Sequence, residues 1–90
     1  MDKIYIKNNF AVTIKRAGFD INGCPKYEIS IYAKYGNIEE YDNINYLCYN
    51  KGLKIGRYSK SKNIFTSILY NINKKISEIF SEIENIFEEV

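Results

Sequence analysis

Apolar and polar residues alternate along the start of the chain. Ile4, Ile6, Phe10, Val12 and Ile14 occupy even positions, and Lys3, Lys7, Asn9, Thr13 and Lys15 odd ones. A period of two is the pattern of a strand with one buried face. A two-residue turn at Asn8 and Asn9 would fold this run into a hairpin, but it would pair Lys7 with Phe10 and Ile6 with Ala11 and so mix the faces. The alternation therefore predicts one long strand, bulged at Asn8, with its even positions in the core.

Gly18 to Pro25 is turn chemistry, with Asn22-Gly23 the strongest cue. Alternation resumes from Lys26 to Tyr35. Tyr27, Ile29, Ile31, Ala33 and Tyr35 form one face, and Lys26, Glu28, Ser30 and Lys34 the other. Gly36-Asn37 ends that strand, and residues 38–43 fit either a continuing strand or one helical turn. A second hairpin is predicted from Ile44–Tyr49 and Leu53–Tyr58 around Asn50-Lys51-Gly52, where Gly52 supplies a positive φ.

From Phe65 the period changes. Phe65, Leu69, Ile72, Ile76, Ile79, Ile83, Ile86 and Val90 are spaced alternately by four and three, and Ile64, Ile68, Phe80 and Phe87 widen the stripe. This predicts an amphipathic helix, capped by Ser59, Ser61 or Asn63. Asn71 and Asn73 are its weakest point, where a kink or break could fall. The expected fold class is α+β in a single domain, 1–90. An antiparallel sheet of about four strands in meander order fills the strand-rich part, 1–58, and a long C-terminal amphipathic helix spans 61–90.

Those lengths conflict. A helix over 61–90 would run about 45 Å, against about 27 Å for a strand of eight residues. Either the helix breaks near Asn71–Lys75 and folds back, or another chain covers Ile79, Phe80, Ile83, Ile86 and Phe87. The spacing suits helix pairing, so these five residues are the expected self-association face of a homodimer. Charge points the same way: residues 1–75 carry +7 and residues 76–90 carry −5. Glutamates at the end of a helix oppose its dipole, and an antiparallel second copy would bring Lys74 and Lys75 to them.

Composition limits the chemistry. Ile, Asn, Lys, Tyr and Phe, all with AT-rich codons, make up 52 of 90 residues, which points to a low-GC genome and supplies much of the Tyr and Lys richness. There is no histidine, which removes the commonest general base and metal ligand and any Ser/His/Asp or Cys/His nucleophile system. Glu39, Glu40 and Asp42 match no calcium loop, and no phosphate-binding glycine motif is present. The expectation is therefore no enzyme, no catalytic residue, no metal and no cofactor. Cys24 and Cys48 lack CxxC spacing; they are read as two thiols in a reducing cytosol, and a disulfide between them needs Cα atoms within about 7 Å. The opening MDKIYIKNNF has no apolar signal-peptide core, so the expected location is cytoplasmic, with no membrane partner.

Between Asn43 and Ser77 there is no acidic residue, but there are seven bases, with Tyr46, Tyr49 and Tyr58 interleaved. Bases and aromatics together can neutralise phosphates and stack nucleobases. Lys51, Lys54, Arg57, Tyr58, Lys60 and Lys62 are thus candidates for binding nucleic acid or a nucleotide, although no RNP-type consensus is present.

Leu53, Gly56, Tyr58 and Ser59, followed by Ile64, Ile68 and Ile72, resemble the ending of many short phage and prophage proteins of low-GC Gram-positive bacteria. In those proteins a last strand feeds a helix. The resemblance spans Leu53 to Ile72 only. It implies a small mobile-element protein, of a kind that includes inhibitors of host defence such as anti-CRISPR proteins. Two functions follow as expectations. The first is a non-enzymatic protein-binding module, an inhibitor of a host system. The second is a nucleic-acid or nucleotide binder using the basic hairpin 51–62.

Overall fold

Asn8 and Asn9 form a two-residue turn in the computed structural model of the chain, which describes residues 2–37 and 39–87. Asn8 sits at φ 56°, a left-handed conformation that asparagine tolerates better than most residues. The strand expected to run unbroken is therefore a hairpin of β1 (Lys3–Lys7) and β2 (Phe10–Phe19). Lys7 lies opposite Phe10 and Ile6 opposite Ala11. Directly opposed residues share a face, and a two-residue loop pairs an odd with an even position, so the buried parity reverses across it. Tyr5 joins Val12 on the core side, while Ile4 and Ile6, expected in the core, are 69% and 65% exposed. Val12 and Ile14 keep their assigned face and are buried, and Phe10 is half-buried.

β2 pairs antiparallel with β3 (Pro25–Ala33) across the Asn22-Gly23 turn, with an irregularity between Arg16 and Phe19. Ile29 and Ile31 are fully buried, as their alternation requires. The far side of β3 is shared by two partners. Lys26–Ile29 pair with β6 (Ile64–Ile68), and Tyr32 and Ala33 with β4 (Asp42–Asn43). β5 (Arg57–Ser59) lies outside β6. Among the described residues the sheet thus has six strands rather than about four, in the order β1-β2-β3-β6-β5, with β4 paired to β3 off this path.

Two further elements differ from the sequence pattern. Ile44–Tyr49 is no strand: α1 (Asn45–Asn50) occupies it and sends Cys48 into the core, next to the buried Ile44. Leu53 and Ile55 are buried from an irregular segment. The hairpin lies further on, between β5 and β6, where Asn63 takes φ 52°. Ile64–Ile68, inside the expected helix, is β6. Its β-branched Ile64, Thr66 and Ile68 favour a pleated surface, and Phe65 pairs with Ile29 at the centre of the sheet.

The helix α2 (Ile72–Ile86) begins at the point marked as weak. The side chain of Asn71 accepts the Lys74 backbone N–H at 3.0 Å, which satisfies a donor that the first turn leaves free. Fifteen residues span about 22 Å, so α2 does not overhang a sheet whose longest strand has ten residues. Ile76, Ile79, Phe80 and Ile83 pack with Val12, Ile14, Ile29, Ile31 and Phe65 in one core. Cys48 of α1 joins the same core, so α1 and α2 cover this face. Val90, the last position of the expected stripe, lies outside the described residues, as do Glu88, Glu89 and Ile38. Among the described residues no helix is long and apolar enough to cross a membrane.

Candidate binding surfaces

The five residues expected to meet a second chain are turned inward. Ile79, Phe80 and Ile83 are buried, and Ile86 and Phe87 are half-buried. The Phe87 ring lies 5.5 Å from that of Phe10, and the Lys51 ammonium sits 5.7 Å from its centroid. The expected overhang vanishes because residues 64–68 are strand, which shortens the helix to what the sheet can cover. Two of the glutamates, Glu84 and Glu82, meet groups of the same chain. Lys7 Nζ lies 3.0 Å from Glu84 Oε1, and the Lys54 N–H donates to Glu82 Oε2 at 3.4 Å.

The bases expected on one hairpin are dispersed. Lys51 turns to Phe87, and Lys54 lies beside α2. Arg57 stands opposite Thr66 on the sheet face away from the helices, while Tyr58 points the other way beside Phe65. Lys62 is exposed in the β5–β6 turn. What does assemble is aromatic. Tyr49 stacks on Tyr58 with centroids 5.1 Å apart and planes 27° apart, and Tyr46 approaches the same ring at 6.3 Å. The Lys60 ammonium lies 5.1 Å from the Tyr46 centroid, within cation–π range.

Three asparagines hold this cluster; the sequence pattern gives Asn43 and Asn45 no role and offers Asn63 only as a helix cap, a place that Asn71 takes instead. Asn45 is fully buried where the pairings of β4 and β6 with β3 leave a gap. Its Oδ1 accepts the Ile31 N–H at 2.6 Å, and its Nδ2 donates to the Asn63 carbonyl. One side chain thus supplies the missing rung of the ladder. Asn63 Nδ2 donates to Asn43 Oδ1 at 2.6 Å, and the Tyr58 hydroxyl donates to Asn63 Oδ1 at 2.8 Å. With eleven asparagines in the chain, no local signal singles out these three.

A second surface lies at the β2–β3 tip. Asp20 ties the loop together: its Oδ1 accepts the Asn22 and Cys24 N–H groups at 2.9 and 2.7 Å. Its backbone N–H donates to the Cys24 carbonyl at 2.8 Å, and its carbonyl accepts the Gly23 N–H at 3.1 Å. On this fixed loop Ile21 is 101% exposed. Phe19, also exposed, lies opposite Pro25, with the Arg16 guanidinium 4.5 Å from its ring centroid. Exposed Ile68 lies opposite Lys26 on the next strand. Tyr70 is exposed, and the pKa of its phenol is raised, chiefly by Cys24 and to a smaller extent by Asp20.

The sheet face away from the helices has a shallow depression of about 320 Å³ lined by Ile4, Thr13, Ser30, Tyr32 and Ile64, among others. Cys24 and Cys48 are free thiols, not a disulfide, and burial pushes the Cys48 pKa up to about 12. Among the described residues no three His, Cys, Asp or Glu side chains gather as a metal ion would need. Comparison of the chain with family models, curated proteins and solved structures gives no match.

Proposed function

We propose that this chain is a non-enzymatic protein-binding module that docks through the β2–β3 tip. The observation that carries the reading is Ile21, an isoleucine wholly in water on a loop tied by four hydrogen bonds to Asp20. A rigid loop loses little entropy on binding, and burying one such side chain contributes about 1.5–3 kcal/mol. Phe19, Tyr70 and Arg16 around it are of the types enriched at the energetic centres of interfaces. The partner is a protein with an apolar pocket rimmed by acidic groups, since Arg16 and Lys26 flank the tip while the Asp20 carboxylate is engaged by its own loop. The phage-protein resemblance would make that partner a component of a host defence system in the cytosol, and the chain its inhibitor.

Placing a photo-crosslinking residue at position 21 in host cells tests this, with position 35 as control because Tyr35 is exposed beyond the other end of β3. A discrete crosslinked protein from position 21, absent from position 35 and lost on Phe19→Asp, is expected. Equal crosslinking from both positions would overturn the reading.

A further inference from the structure

We infer that Tyr46, Tyr49 and Tyr58 form a stacking platform for bases of a single-stranded nucleic acid, with Lys60 and Lys62 contacting its phosphates. This site is separate from the β2–β3 tip. It is anchored at Ile31 through Asn45, toward the opposite end of β3 from Pro25.

Three observations converge on it. First, the platform is rigid: Tyr58 is fixed by its hydroxyl bond to Asn63 and by Phe65, whose ring centroid is 5.0 Å away. Second, the platform is open: Tyr46 and Tyr49 are 48% and 53% exposed, and Tyr49 uses one ring face on Tyr58. Aromatic faces presented this way accept any base, because every base has a π-face. Third, the charge has the right sign and place. Lys60 stands over Tyr46 and Lys62 follows it in the same turn, within a sequence stretch free of acids from Asn43 to Ser77. A base on the tyrosines therefore leaves its phosphates beside these ammonium groups.

The geometry also limits the site. With Lys51 over the Phe87 ring, Arg57 on the opposite face of the sheet and the Lys54 backbone held against Glu82 of α2, Lys60 and Lys62 are the two lysines counted as releasing counterions. At about 0.7 per phosphate for single strands, log K should fall with log salt at a slope of about 1.4. Use of all five bases would give about 3.5 by the same rule.

The test is a fluorescence-polarisation titration of labelled oligothymidylate, about ten nucleotides long, starting at about 50 mM salt, where even non-specific binders are visible. Tyr49→Ala and Tyr46→Ala should each weaken binding about tenfold, in the range of a lost base stack. Tyr49→Phe should retain it, and Lys54→Ala and Arg57→Ala should leave it unchanged. Ile21→Asp should also leave it unchanged, which separates this site from the protein-docking tip. No binding at low salt, a slope near 3.5, or an affinity indifferent to Tyr49→Ala overturns the inference. Tyr46, Leu47 and Tyr49 would then be a protein-contact face.

Discussion

Asn45 offers the sharpest test of how this fold is held. Asn45→Leu keeps the approximate volume but removes both polar groups. The Ile31 N–H and the Asn63 carbonyl then lose their partners inside the protein. The buried Ile31 N–H, left unsatisfied, costs about 1–3 kcal/mol, and the Asn63 carbonyl adds less because it is only part-buried, before any gain from leucine's apolar surface. A domain of this size has about 5–15 kcal/mol to lose. At about 4–8 °C per kcal/mol, a loss of 2 kcal/mol lowers Tm by about 8–16 °C. Urea unfolding followed by far-UV circular dichroism should show a lower midpoint with an unchanged slope. Asn45→Asp separates the two bonds. It keeps the acceptor for Ile31 but sets a carboxylate oxygen against the Asn63 carbonyl. Burial raises the pKa of that carboxyl, and its protonated form can donate where the amide did. The variant should approach the parent's stability below about pH 3.9, the unfolded value, and fall behind as pH rises through the raised folded value. A leucine variant within about 0.5 kcal/mol of the parent, or an aspartate variant that follows the parent's pH dependence, would refute the reasoning.

Gly56→Ala should lower stability by about 1–3 kcal/mol, seen as a lower urea midpoint. Gly56 has φ 156°, and a Cβ there would collide with the Thr66 carbonyl, its carbon 2.9 Å away. Ile83→Asp places a charge at a fully buried position and should abolish the far-UV signal of the fold, whereas a dimer face would merely dissociate in sedimentation equilibrium. A thiol reagent should modify half-buried Cys24 in the native protein and reach Cys48 only on unfolding. Because the folded pKa of Cys48 is raised from 9.0 to about 12, its contribution is intact below pH 9 and is lost as pH rises toward 12. Cys48→Ala should reduce the fall in urea midpoint over that range.

What the sequence showed depended on how far each signal reached. Val12, Ile14, Ile29 and Ile31 were legible because they lie in runs where alternation alone assigns the face. Ile4 and Ile6 were not, since their face depends on whether two asparagines turn the chain or continue it. The four-three spacing held from Ile72 to Ile86. Phe65 and Leu69 fell into step with it although both are buried from outside the helix. In a chain with 16 isoleucines, a strand can extend a helical stripe by coincidence, and only the β-branched density of residues 64–68 argued otherwise. The tyrosine cluster was half legible. Tyr46, Tyr49 and Tyr58 stood out among the bases, but their convergence depends on α1 and on asparagine contacts that no spacing rule encodes.

The outer strands of the sheet bear on how the protein behaves in a crowded solution. Among the described residues β1 has a partner on one side only, so the other side offers backbone groups next to exposed Ile4 and Ile6, an invitation to aggregation. An antiparallel newcomer of the same sequence, centred on Tyr5, would set Lys3 against Lys7 at both ends, and like charges so opposed repel. β5, at the other margin, has only three residues, too short to template much growth. Lys3, and Lys7 once its ion pair with Glu84 is given up, oppose such pairing as gatekeepers do. Replacing both with threonine would turn a strand that stops the sheet into one that recruits copies of itself.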